Sequence, residues 1–317
     1  EARGYLESAG VLGLETPGER LQHMNQPAYE FYLNRNPGID LAADRLEIGV
    51  CAQHNNGGID VDLWWRSSIA GLFPVGEAAG AHGVARPGGA ALNSAQVGAT
   101  RAAQWIAARE QGAARADEGW QELAGDALQK ARSLLEAACG REESSGVLID
   151  DVLMESTRAM SDNAGLVRSR QGLEELARNV AEWRRRVVDE CVVDPTSRRS
   201  VDRLFLVRDI LDVQAVYVAA MLDHLDHGVG SRGSVLYTDP DGDLPVSWWN
   251  DGADLDVEEI FRHRLDSKAH HGVTQRVSVD AVGEAIHAHW GPVRPIPTED
   301  EFLENVWKTY RVDHNIH

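Results

Sequence analysis

Between His54 and Gly98 the chain reads HNNGGIDVDLWWRSSIAGLFPVGEAAGAHGVARPGGAALNSAQVG, and no other stretch limits the fold as strongly. Glycine recurs through this run at 57, 58, 71, 76, 80, 83, 88 and 89, and glycine inside a helix costs about 1 kcal/mol against alanine, so no long helix is expected before residue 90. The short apolar pieces Leu46 to Val50, Ile59 to Leu63 and Leu72 to Val75 are bounded by Gly or Asp and predict strands of a small sheet. A helix signal begins only after Gly88-Gly89, with Leu92, Val97, Ala102, Trp105 and Ile106 expected on its buried side. The run therefore crowds a His, a Glu and an Arg against one helix start.

Upstream, Pro17-Gly18 leads into a helical pattern with Leu21, Met24, Tyr29 and Tyr32, interrupted near Pro27 and closed by Asn36-Pro37-Gly38. From about Gln121 to Leu225 the composition turns to Leu, Ala, Glu and Arg with helical periodicity, which predicts an antiparallel bundle of three or four long helices. Beyond Gly228 the chain is irregular. Asp239-Pro240-Asp241-Gly242 predicts a turn, VTQRVSV at 273–279 a strand, and Thr298-Glu-Asp-Glu301 the start of a last helix carrying Phe302, Val306, Trp307 and Tyr310.

With 317 residues and 43% hydrophobic composition the chain can fill more than one core. Its net charge of −19 argues against a sequence-independent nucleic-acid footprint and against docking to an anionic lipid surface. A small anionic substrate stays compatible, because a local Arg and His dominate the field of a pocket whatever the overall sign. Three widely spaced cysteines, Cys51, Cys139 and Cys191, fit reduced thiols and a cytoplasmic location. The sequence offers no secretory leader pattern and no apolar run near the ~18 residues that span a bilayer. It starts Glu-Ala-Arg-Gly with no initiator Met, which reads as the interior of a longer polypeptide.

Three elements of the run carry chemistry. Glu77 closes GLFPVGE, at the tip of an expected strand, where a carboxylate accepts hydrogen bonds from ligand hydroxyls. Taken singly it reads equally well as an ordinary loop carboxylate. The helix start at Ala91 and Leu92 follows two glycines and presents free N–H groups to negative charge, such as the charge a flavin develops at N1 and the C2 carbonyl on reduction. Its bland alternative is a glycine-rich surface loop. His54 and Arg86, each beside glycines, offer a ring N–H and a bidentate fork to a carboxylate, although a lone loop His is most often solvated.

Read in order, these segments resemble the fumarate reductase, succinate dehydrogenase and L-aspartate oxidase flavoprotein family. The family's His-Tyr-x-Met-Gly-Gly-Ile segment, its strand ending in Gly-Glu, and its His-Gly-Ala-Asn-Arg-Leu-Gly-Gly-Asn-Ser-Leu turn find counterparts in His54 to Ile59, Gly71 to Glu77 and His82 to Leu92. Met160 to Leu176, Arg203 to Asp212 and Ser231-Arg232-Gly233 are similar to its helical-domain signatures, so the likeness covers most of residues 40 to 233. The resemblance implies that His54 and Arg86 hold a substrate carboxylate, that Glu77 holds FAD, and that the Ala91 and Leu92 backbone meets the isoalloxazine. Asn55 departs from the family's Tyr, Pro87 from its Leu, and Ala90-Ala91 from its Asn-Ser, which bears on substrate specificity. The family's dinucleotide-binding strand, its Gly-rich turn and its proton-delivering Arg have no counterpart in this chain.

The expected fold class is α+β. It comprises the end of a capping domain at 1–50, the flavin-facing C-terminal part of an FAD-binding α/β domain at 51–115, a helical domain at 116–230 and an irregular C-terminal extension at 231–317. The expected function is part of an FAD-dependent oxidoreductase, incomplete alone, that moves a hydride between flavin N5 and a small carboxylate-bearing substrate. Expected partners are that substrate and a separate half carrying the dinucleotide-binding elements or an electron-transfer partner. The alternative is a non-catalytic fragment or interaction subunit whose helical domain docks on such a half. Gly228-Val-Gly-Ser-Arg-Gly233 matches a nucleotide-binding fingerprint by letter but follows a helix, and is set aside. His263, His270, His271, His287 and His289 lack metal-ligand spacing, and the pairs Trp64-Trp65 and Trp248-Trp249 are expected at domain or subunit contacts.

Overall fold

A computed structural model describes residues 4–5, 8–9, 16–41, 43–44, 57–82, 89–109, 119–142, 146–233, 235–246, 256–280 and 285–293, with 298, 308 and 312 singly. The chain divides into two compact units, Glu1–Cys51 and Ala52–His317.

In the first unit, Thr16 and Glu19 form a reciprocal capping box ahead of helix α1 (Pro17–Met24). Asn25 ends α1 and accepts from the Ala28 N–H to start α2 (Gln26–Arg35). Pro27 thus sits in the first turn of a new helix, where its missing N–H has no intrahelical role, rather than breaking an old one. Gly38, at φ 94°, follows the C-terminal cap.

In the second unit, helix α3 (Ala90–Arg109) follows the glycine-rich turn. Four helices then build the bundle: α4 (Trp120–Cys139), α5 (Ile149–Ala164), α6 (Arg170–Asp189) and α7 (Arg198–Asp226). Its centre is two matched seams. Leu173, Leu176, Val180, Trp183 and Val187 of α6 are buried at i, i+3, i+7, i+10 and i+14, and Leu204, Val207, Leu211, Gln214 and Val218 of α7 repeat that spacing. The apolar residues of both seams, with Ile149 and Val152 of α5, form one continuous core.

Short parallel pairings tie the helix ends: β1 (Val147–Leu148) with β3 (Cys191–Val192), and β2 (Val167–Arg168) with β4 (Leu236–Asp243). Beyond them β5 (Val273–Val279) and β6 (Ile286–Pro292) make an antiparallel hairpin, as the VTQRVSV pattern predicts. The hairpin docks on α7 through Asp223, whose carboxylate accepts from Gln275 Nε2 at 2.7 Å and Trp290 Nε1 at 2.8 Å.

Two expectations fail. The segments at 59–63 and 72–75 are not strands; the one pairing described in this region is the parallel bridge between Ile59 and Ala79. Apolar content alone does not make a strand where no neighbouring strand takes up the backbone groups. The Asp239-Pro240-Asp241-Gly242 turn is instead part of β4. Thr238 and Asp243 both bridge to His263, so β4 bulges over the four residues 239–242 between them. Leu46 to Val50, Trp248-Trp249 and nearly all of the expected last helix lie outside the described residues.

Candidate functional site

The site is built on residues 57–82 and on α3. Ile59 N–H donates to Ala78 C=O at 2.9 Å, and Gly80 N–H donates to Ile59 C=O at 3.0 Å. Gly58 makes this approach possible, since a Cβ there would lie 2.6 Å from the Ala78 oxygen. Chain 57–59 is thereby laid directly along 78–80. Glu77 occupies a short 3-10 turn, Gly76–Ala78, with its side chain exposed. Gly76 enters that turn at φ 64°, and its missing Cβ would stand 3.7 Å from Ala95 Cβ, so the turn bearing Glu77 packs on the second turn of α3.

The first turn of α3 offers backbone donors. Asn93 N–H closes the first helical bond, to Gly89 C=O, which leaves the N–H groups of Ala90, Ala91 and Leu92 without an intrahelical acceptor. No described residue lies within 4 Å of the position a Gly89 Cβ would take, and Leu92 is 72% exposed. The turn bearing Glu77 is thus set beside the first two turns of α3. His54 and Arg86 lie outside the described residues.

Sequence reasoning missed how α3 is held. Asp62 N–H donates to Arg66 C=O and Trp65 N–H to Asp62 C=O, which closes a three-residue hairpin loop. Its last residue must turn left-handed, a position that favours glycine, yet Trp65 occupies it at φ 56°, at a cost of about 1–3 kcal/mol. Burial pushes the Asp62 carboxyl up, but hydrogen bonds from Arg66 and from the Trp64 N–H, with the Arg66 charge, outweigh it and hold the group below the usual carboxylate range.

From this loop Trp64, Trp65 and Arg66 grip one face of α3. The Trp65 indole lies against Gly98, where an added Cβ would be 2.5 Å from Nε1. Trp64, buried, stands 5.7 Å from the Trp105 ring with the Arg101 guanidinium 4.4 Å above it, and the Arg66 guanidinium covers Trp105 at 4.0 Å. This tryptophan pair therefore packs inside its own unit. The held face is Gly98, Arg101, Ala102 and Trp105, whereas Leu92, Val97 and Ile106, expected to be buried, are exposed.

Among the described residues no group of three or more His, Cys, Asp or Glu side chains is placed to hold a metal ion. The GVGSRG segment runs from the end of α7 towards β4, with Ser231 bridged to Leu265. No described helix is long and apolar enough to cross a membrane.

The architecture, a mixed helix-and-strand fold with a helical bundle, is that of the C-terminal region of the flavoprotein subunits. The proteins it is similar to are fumarate reductases and succinate dehydrogenases. The structure matches FrdA of E. coli quinol fumarate reductase with a TM-score of 0.67 at 20% identity, over 91% of this chain and 45% of that one. A quinol-fumarate reductase with menaquinol molecules gives 0.62 at 19% identity over 94% and 49%, and Mycobacterium smegmatis Sdh1 in complex with UQ1 gives 0.56 at 19% over 94% and 45%. In sequence, 66 residues are 39% identical to part of the CoM/CoB fumarate reductase of Methanothermobacter marburgensis, covering 20% of this chain and 12% of that polypeptide. The chain spans less than half the length of these structural relatives. No family profile matches it.

Proposed function

We propose that this chain supplies the C-terminal half of an FAD-dependent oxidoreductase that transfers a hydride between flavin N5 and a carbon activated by a neighbouring carboxylate. The observation that carries the reading is the first turn of α3 beside the turn bearing Glu77, in a chain with the flavoprotein-subunit fold. The residues suit a flavin edge: small Ala90 and Ala91 follow Gly89, and the first-turn N–H groups have no acceptor within the helix.

When bound, the flavin would supply the two-electron chemistry. The N–H groups of Ala91 and Leu92 and the positive end of the α3 dipole would favour negative charge at the ring edge they face. Glu77 would accept hydrogen bonds from the ribityl chain. Arg86 and His54 would grip the substrate carboxylate, turning the reacting carbon toward the flavin and withdrawing charge from it. The arginine that delivers the proton would come from outside this chain.

A second reading, that the chain serves as a fragment or interaction subunit docked on a polypeptide with the dinucleotide-binding elements, is favoured by one observation. Leu92, Gln96, Ala99, Ala103 and Ile106 form an exposed seam along α3, at i, i+4, i+7, i+11 and i+14, about 130° around from the gripped face. The two readings meet if the docked polypeptide completes the flavin site. An absorbance spectrum of the purified protein from about 300 to 550 nm, with an intact mass, tests both. Flavin bands only when a second polypeptide is present support the split enzyme. Tight stoichiometric flavin on residues 1–317 alone overturns the requirement for another half, and no flavin in any assembly overturns the oxidoreductase reading.

A further inference from the structure

We infer that Trp65 is a positioning residue: wedged against Gly98, it fixes the rotation and height of α3 and thereby sets where the helix start lies. The inference rests on the flavin reading above for its functional consequence, but its structural half stands on contacts within residues 62–105. Three observations converge. Trp65 holds a left-handed backbone that glycine would adopt more easily, so the indole is retained against strain. Its indole occupies the space of the Cβ that Gly98 lacks, with contacts of 2.5, 2.6 and 3.0 Å from that missing atom to Nε1, Cε2 and Cδ1. Its neighbours Trp64 and Arg66 reach Arg101 and Trp105 on the same helical face, so the loop grips α3 over two turns.

A helix gripped at one point can still roll and slide, but one gripped at Gly98, Arg101 and Trp105 cannot. Gly98 lies seven residues after Ala91, about 10 Å along the axis. A roll or slide of α3 at the wedge would therefore be carried to the N–H groups of Ala91 and Leu92, and an interior packed this closely transmits such a displacement rather than absorbing it. Neither a packing role for an ordinary surface tryptophan nor a simple loop role predicts that coupling.

The test uses Trp65→Gly and Gly98→Ala, with Ile69→Ala on the neighbouring exposed loop as control. Trp65→Gly removes the wedge and relieves the strained backbone together, so the thermal midpoint is expected to stay within about 4 °C of the unaltered chain. Amide exchange at Ser94 to Val97 is expected to rise about tenfold in both variants and not in the control. In flavin-loaded protein, flavin dissociation is expected to rise at least about fivefold in both. Unchanged exchange at 94–97 overturns the wedge. Raised exchange with unchanged flavin dissociation overturns the positioning role. If the unaltered protein takes up no flavin in any assembly, the flavin reading fails, while the exchange result still decides whether Trp65 holds α3.

Discussion

His224, near the end of α7, stacks on Tyr237 with ring centroids 5.0 Å apart, and its Nε2 is buried with no hydrogen-bond partner among the described residues. Burial is the main cause that pushes its pKa below the usual 6.5; the Arg232 and Arg168 charges add to it, while a main-chain hydrogen bond at Gly230 and the Asp266 charge oppose it. The unfolded chain therefore takes up the His224 proton at a pH where the folded chain refuses it. This contribution to stability is complete above pH 6.5 and is lost as pH falls below that value. The expected result is a lower urea midpoint near pH 5.5 than near pH 7.5, with the difference reduced in His224→Phe, which keeps the stack on Tyr237. An unaltered pH dependence in that variant would assign the effect elsewhere. Little of this is legible in the sequence: His224 is one of twelve histidines, and burial comes from a strand that joins the helix only in three dimensions. The same holds for Trp65 and Gly98, a loop residue and a helix residue that no periodicity links.

Elements are legible where one chain segment decides its own partner face. The α6 and α7 seams follow a 3.5-residue average spacing that sequence alone displays, and the bundle is predicted from it. The segments at 59–63 and 72–75 mislead, because a strand is defined by a neighbour that supplies hydrogen bonds, and the described residues supply one bridge. Arg168 shows how a recognisable motif acquires a physical role at this scale. In the segment Gly165-Leu-Val-Arg168 its Nε donates to the carbonyls of Ala164 and Gly165 at the end of α5, and Nη1 donates to the Tyr237 hydroxyl at 3.1 Å. It therefore caps a helix and ties β4 to it. Arg168→Ala should cost about 2–4 kcal/mol by urea denaturation, since it leaves terminal carbonyls half-buried without their charged donor. Arg168→Lys should recover less than half of that, because a single ammonium cannot reproduce the fork. A separate test of the seam is Leu176→Ala, fully buried in α6, with an expected loss of about 2–5 kcal/mol.

At the scale of the molecule, the fold is similar to the C-terminal region of fumarate reductase and succinate dehydrogenase flavoprotein subunits, yet the chain covers only 45–49% of those solved structures. The α3 seam is where that difference becomes physical. Its residues are exposed while the opposite face of the same helix is gripped, so a charge placed on the seam disturbs nothing within the described residues. Ala99→Glu with Ala103→Glu should leave the stability of residues 1–317 to urea within about 0.5 kcal/mol of the unaltered chain. If α3 packs against a polypeptide carrying the dinucleotide-binding elements, the same pair buries two unpaired carboxylates there and should abolish both association and flavin retention. Leu206→Glu with Val213→Glu, two exposed positions on α7, separates the alternatives. Loss of association with the α7 pair and not the α3 pair would mean that the helical bundle is the docking face, and flavin retention would then have to survive the α3 substitutions. Sedimentation and flavin absorbance on the same samples distinguish these outcomes, because the pair that abolishes association loses the flavin with the partner, whereas the other pair leaves both association and flavin in place.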